Sequence, residues 1–167
     1  MRKLITLVIV IVLIVLGKKG YSYVKKYRHS KRIKVGVDGV SFPKLKLTNL
    51  IGEIATSIKL NIGNFSPSKF EVQQISIDVF DKKGNLIASP QNPLREPISI
   101  EPSQNNIFPL TYMLSSQQLK QIIRQAGGVA NVGANYLTQG NYGIPLLLKG
   151  FVVAEGLKVD INEKITV

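Results

Sequence analysis

The chain contains no cysteine, and that absence rules out several chemistries at once. Without a thiol there is no disulfide framework, no thiolate metal site, no lipidated cysteine and no cysteine nucleophile. A cysteine-free chain suits reducing and oxidising compartments alike. Histidine occurs once, at His29, inside a basic stretch where a lone imidazole is far more often solvated than catalytic. Acids are sparse: 10 Asp/Glu face 22 Lys/Arg, for a net charge of +12. That charge is not evenly spread. Residues 1–34 hold ten Lys/Arg and no acid, whereas residues 35–167 hold twelve Lys/Arg against ten acids, a nearly neutral +2. A nucleic-acid-binding domain more often carries its excess on a folded face.

The remaining acids, among them Glu53, Glu71, Asp78, Asp81, Glu96, Glu101, Glu155, Asp160 and Glu163, are scattered. Several fall at turns or alternate with apolar strand positions, as solvent-facing residues do. General acid–base work needs convergent titratable groups, and cation binding needs oxygen ligands at short, regular spacing. Neither pattern is present. The glycines lack a following G-K-[ST], so no phosphate loop is expected. The reading is of no catalytic residue, no cofactor, no metal and no small-molecule substrate.

At 167 residues, the length allows one ordinary domain with its own core plus an extension. The extension is the N-terminus. Leu4, Ile5, Leu7, Val8, Ile9, Val10, Ile11, Val12, Leu13, Ile14, Val15 and Leu16 make twelve of thirteen positions apolar, between Arg2-Lys3 and Lys18-Lys19. Thirteen helical residues span only about 20 Å against a hydrocarbon core of about 30 Å. A cleaved signal peptide has this core length, but lysines stand where small residues are wanted. A lipoprotein signal needs a cysteine. A buried strand or core helix conflicts with the basic flanks. An uncleaved helix gains about −4 to −7 kcal/mol from its twelve aliphatic residues. Continued to about Val24, it lets Lys18 and Lys19 snorkel to the interface. Residues 1–24 are therefore expected to form a membrane anchor, or a helix embedded in an assembly.

The following stretch 25–34 reads as a basic juxtamembrane linker. Lys18, Lys19, Lys25, Lys26, Arg28, Lys31, Arg32 and Lys34 would meet anionic headgroups at about 1 kcal/mol each. Tyr21, Tyr23 and Tyr27 among them also permit a nucleic-acid reading, by stacking on bases. The adjoining apolar run favours lipid and makes nucleic acid the weaker partner. Charge bias favours a cytoplasmic side for residues 35–167, but by itself leaves the side of the membrane open.

From Ile33 the pattern is that of strands. Ile33, Val35 and Val37 alternate, Asp38-Gly39 reads as a turn, and Phe42-Pro43 leads to Leu45, Leu47 and Leu50. Ile54, Thr56, Ile58, Leu60 and Ile62 share one face of a half-buried strand, which Asn64 to Pro67 must end because Pro67 cannot donate to a ladder. Val72–Phe80 carries Ile75, Ile77 and Val79 on one face. Asp81-Lys82-Lys83-Gly84-Asn85 is a hairpin signal returning through Leu86–Ala88. Pro90, Pro93 and Pro97 mark a loop, Ile98 and Ile100 a short strand, and Phe108–Leu114 a strand whose Pro109 points to an edge or bulge. Ser115 with Gln118 forms a capping box for a helix burying Leu119, Ile122, Ile123 and Ala126, stopped at Gly127-Gly128. Val129–Tyr142 reads as a long Gly/Asn loop. Ile144–Ala154 and Leu157–Val167 are the last strands, joined at Glu155-Gly156, with Gly150 at a bulge or close backbone approach.

About seven short strands with one helix predict a mainly β antiparallel sandwich over residues 35–167. The order of motifs resembles the late-embryogenesis-abundant type 2 (LEA2, or WHy-domain) family, as a bacterial or phage-type member. The carriers are the strand end Asn64–Phe65–Pro67, a D-x-x-G-N hairpin, Ile100-Glu101-Pro102, a short helix, Lys149-Gly150 and the closing Lys158–Ile161. In that family the asparagine is usually followed directly by proline, whereas here Phe65-Ser66 intervene. The resemblance implies an immunoglobulin/fibronectin-III-like sandwich with no catalytic centre or cofactor. It further implies anchoring or export, with a part in stress protection or envelope interactions. Two readings follow: a membrane-anchored interaction or protective module, and a structural subunit of a phage virion or envelope machine. A protein partner is expected in both, alongside membrane lipid at the N-terminus in the first.

Overall fold

The computed structural model describes residues 32–42, 52–92 and 94–167. The expected anchor helix, the basic positions Lys18 to Lys31, the Leu45–Leu50 pattern and Pro93 lie outside the described residues. No helix among the described residues is long and apolar enough to cross a membrane.

Among the described residues eight strands and two helices follow one another: β1 (Ile33–Ser41), β2 (Ile54–Asn64), β3 (Phe70–Asp81), β4 (Leu86–Ala88), β5 (Ile98–Ile100), β6 (Asn105–Leu114), α1 (Ser116–Gln125), α2 (Gly128–Gln139), β7 (Pro145–Ala154) and β8 (Leu157–Thr166). The protein is mainly β. One antiparallel sheet runs β1-β2-β6 and the other β4-β3-β7-β8, with β5 also paired to β3. One apolar core draws on both sheets and on α1. Tyr112 of β6, fully buried, donates its hydroxyl to the Ile77 carbonyl of β3 at 3.0 Å and so ties one sheet to the other.

Strand β2 follows the period-two pattern: Ile54, Thr56, Ile58, Leu60 and Ile62 are all buried. Thr56 is the polar exception on that face, and its hydroxyl donates to the Ser41 carbonyl at 2.9 Å. Two strands keep their apolar residues inward only by slipping phase. In β3, Phe70 and Val72 are buried at even positions, and Ile75, Ile77 and Val79 at odd ones. The register shift between Val72 and Gln74 reconciles them, because an extra residue in one strand reverses which face its successors occupy. The same device corrects the turn expected at Asp38-Gly39. Strand β1 runs straight through it, from Val37 opposite Leu60 to Gly39 opposite Lys59. The bulge at Asp38 returns Val40 to the side where Val35 and Val37 pack on the core.

Pro109 lies on an edge, as its missing N–H requires. Beyond it the chain covers the open side of β6. Gln91 N donates to Thr111 O at 2.8 Å, while Asn92 accepts from Thr111 N at 2.7 Å and donates to Pro109 O at 2.8 Å. A side-chain amide thus replaces a strand, which blunts an edge that could template aggregation. At Gly150, opposite Ile77, a Cβ would run into the backbone of Ser76 and lie 2.6 Å from Ile77 Cα, so only glycine lets β7 approach β3 this closely.

Helix α1 is capped by the reciprocal Ser115–Gln118 box. It buries Leu119, Ile122, Ile123 and Ala126 against the sheets. The loop expected over Val129–Tyr142 is instead largely helix α2, and the sequence reading is corrected there. Its ends are set by Gly127 and Gly140, whose φ of 94° and 72° lie in the left-handed region. Asn131 donates to the Ala126 carbonyl at the end of α1 at 2.6 Å. Asn131, one of the asparagines that suggest a loop, therefore serves the helix junction. Within α2 only Val132 is buried, and Tyr136 stacks on Tyr142 with ring centroids 4.8 Å apart.

Candidate functional site

Three polar arrangements stand out from the scaffold, and only one opens onto a cleft. The first is the end of β2. Asn64 is buried, and its amide donates to the carbonyls of Ser68 and Ile100, both at 2.9 Å. Its Oδ1 accepts from Ser66 N at 2.9 Å and lies 2.7 Å from Ser66 Oγ. An asparagine amide has two donors and two lone pairs to satisfy, and these contacts use all of them. Asn64 thereby joins β2, the following turn and the end of β5. Pro67 is exposed in that turn. Arg32 and Lys34 reach the same end of the molecule: Arg32 O accepts from Phe65 N at 3.0 Å, and Lys34 Nζ sits 5.3 Å from the Phe65 ring centroid.

The second arrangement is centred on Asp81, which is buried at 1 % exposure where β3 enters its hairpin. Five hydrogen bonds converge on it. Oδ1 accepts from the backbone of Lys83 and Asn85 at 2.8 and 2.9 Å. Oδ2 accepts from the side chains of Asn85, Gln121 and Gln125 at 2.8, 2.9 and 2.7 Å. Burial by itself pushes this carboxyl up. The Asn85 and Gln125 side chains, the Asn85 backbone and Gln121 outweigh it and hold the carboxyl well below the usual carboxylate range. A carboxylate bound in this way stays charged and has no free lone pair for a substrate proton.

Above Asp81, the β3–β4 hairpin and α1 enclose the third arrangement, an open cleft of about 540 Å³. Lys83 comes from the hairpin; Lys120 and Arg124 lie one turn apart on α1; Gln117, Gln121 and Gln125 of the same helix also line it. No acid lines the cleft. Lys82 stands beside it and donates to the Gln125 carbonyl at 2.6 Å. No role is expected for this surface from the sequence alone. Its signal was present as an amphipathic helix whose polar face bears cations without acids, but the facing Lys83 is brought there only by the fold.

Other titratable groups do not converge. Among the described residues no cluster of three or more His, Asp or Glu could hold a metal ion. Asp160 is paired with Lys158 at 3.0 Å on the exposed side of β8, away from Asp81.

No family model and no curated protein matches the chain. Among solved structures it is similar to an X-ray structure of a structural-genomics target, at 12 % identity and TM-score 0.46 over 80 % of this chain and 84 % of that one. It is also similar to a protein from Archaeoglobus fulgidus, at 10 % identity and TM-score 0.40 over 79 % and 98 % of the two chains. A FixG-related protein from Vibrio parahaemolyticus matches at 10 % identity and TM-score 0.40 over 81 % and 95 %. At these values the likeness extends to neither family nor function.

Proposed function

We propose that the chain is a membrane-anchored, non-catalytic β-sandwich of the immunoglobulin/fibronectin-III type, resembling LEA2/WHy proteins. On this reading it acts as an interaction or protective module at the cell envelope. The observation that carries the reading is the segregation of charge. Ten Lys/Arg without an acid surround and follow the apolar run Leu4–Leu16, ahead of a nearly neutral domain. A run of that composition favours insertion, and its basic flank favours anionic headgroups. The saturation of Asp81 supports a scaffolding role for the one buried carboxylate among the described residues. The test is fractionation. Carbonate-washed membranes should retain the full chain and lose a variant lacking residues 4–16; release of the full chain, with no effect of the deletion, overturns the reading.

A second reading has one observation of its own, which favours burial of α2 by protein. This helix contains no charged residue, and it exposes Leu137 at 85 % and Val129 at 61 %. The chain would then be a subunit of a large assembly, such as a virion or envelope machine, and would co-purify with it in fixed stoichiometry.

A further inference from the structure

The cleft between the β3–β4 hairpin and α1 carries an electrostatic imbalance that the fold leaves standing. Lys83, Lys120 and Arg124 line it, and none of the three is ion-paired among the described residues. Lys120 and Arg124 are four residues apart on one helix, an arrangement of like charges that destabilises an isolated helix. Beneath the cleft, Asp81 is buried and already holds five donors. No acid lines the cleft to balance its three cations. The lining on α1 runs from Ser116 to Gln125, and the first turn of the helix contains no acid.

We infer that this cleft binds a phosphate group, using Arg124 as a planar fork and Lys83 and Lys120 as point charges. Guanidinium geometry matches two phosphate oxygens at once, and ammonium groups on opposite walls meet the remaining oxygens. Asp81 accepts from the amide nitrogens of Gln121 and Gln125 and so ties α1, which carries Lys120 and Arg124, to the hairpin. The inference rests on the reading of the chain as an interaction module and names what one of its surfaces takes. The phosphate can belong to a lipid headgroup or to a soluble compound, and the experiment separates the two.

The test uses the full chain in phosphatidylcholine nanodiscs, with backbone amide shifts followed by NMR. One arm titrates inorganic pyrophosphate; the other replaces part of the neutral lipid with phosphatidic acid. Shifts centred on residues 83–85 and 116–125, weakened at least tenfold in a Lys120→Gln/Arg124→Gln variant and unchanged in Lys158→Gln, are expected. If they appear with pyrophosphate, the ligand is a soluble phosphate compound; if only with phosphatidic acid, it is a headgroup. Both substituted positions are exposed, and an unchanged amide spectrum of the unliganded double variant checks its fold. Absence of these shifts in both arms, or equal binding by the double variant, overturns the inference. Flotation of the chain with the nanodiscs is scored separately, so failure of anchoring and failure of the cleft are distinct results.

Discussion

Replacing Asp81 by asparagine preserves volume and removes only the charge and one acceptor, so its effect can be worked from the five hydrogen bonds. The asparagine carbonyl can still accept from the backbone of Lys83 and Asn85. Those two bonds fall from the charge-assisted class to the neutral one, a loss of roughly 1 kcal/mol each. The new amide nitrogen faces three amide donors, on Asn85, Gln121 and Gln125. Water in the cleft and flips of the glutamines relieve part of that conflict, leaving about 1 kcal/mol. The expected destabilisation is therefore about 3 kcal/mol at pH 7, a large share of the ~5–15 kcal/mol typical of a domain. The sign of the pH dependence follows from the depressed carboxyl of the folded state. Its contribution is complete above the unfolded value of about 3.9 and is lost as pH falls below it. The gap between wild type and Asp81→Asn should thus be widest at neutral pH and narrow on acidification below about pH 4. Urea unfolding of both proteins at a series of pH values from 7 to 2 measures it. A variant within 0.5 kcal/mol of wild type at pH 7, or a gap that does not change with pH, refutes the reasoning.

Gly150→Ala places a methyl against the backbone of Ser76 and Ile77, which cannot move aside without parting β3 from β7. A loss of about 3 kcal/mol is expected by chemical denaturation. Asn64→Ala strips the carbonyls of Ser68 and Ile100 of their side-chain donor; a loss of about 2–3 kcal/mol is expected, and an unchanged melting curve would show that the turn holds itself. Tyr112→Phe removes one buried bond to Ile77 O and should cost about 1 kcal/mol at pH 7. Burial, with a contribution from Asp78, pushes the Tyr112 hydroxyl up. Wild type should therefore lose stability as pH rises above about 10, and the phenylalanine variant should lack that component. Leu137→Lys alters the side chain exposed at 85 % on α2, and unfolding should register less than 0.5 kcal/mol.

What the sequence determined by itself lies within a few residues of each feature. The alternation from Ile54 to Ile62 sets a strand because neighbouring side chains must take opposite faces. Ser115 and Gln118 set the start of α1 because a capping box is complete within four residues. The Asp81–Asn85 hairpin and the termination of β2 at Asn64 are local in the same sense, and the structure shows each at its place. The tertiary structure decided what depends on a distant partner. The bulges at Asp38 and Gln73 are phase corrections, visible only once β1 is laid on β2 and β3 on β7. Helix α2 has glycines and asparagines that argue for a loop; burial of Val132, the Tyr136–Tyr142 stack and the left-handed caps override that weak local preference. The cleft belongs to the same class. Lys120 and Arg124 are legible as part of a polar helix face and Asp81 as a turn residue. The contact that closes the cleft, Gln125 on Asp81, joins positions 44 residues apart, and only the packing of α1 beside the hairpin makes it.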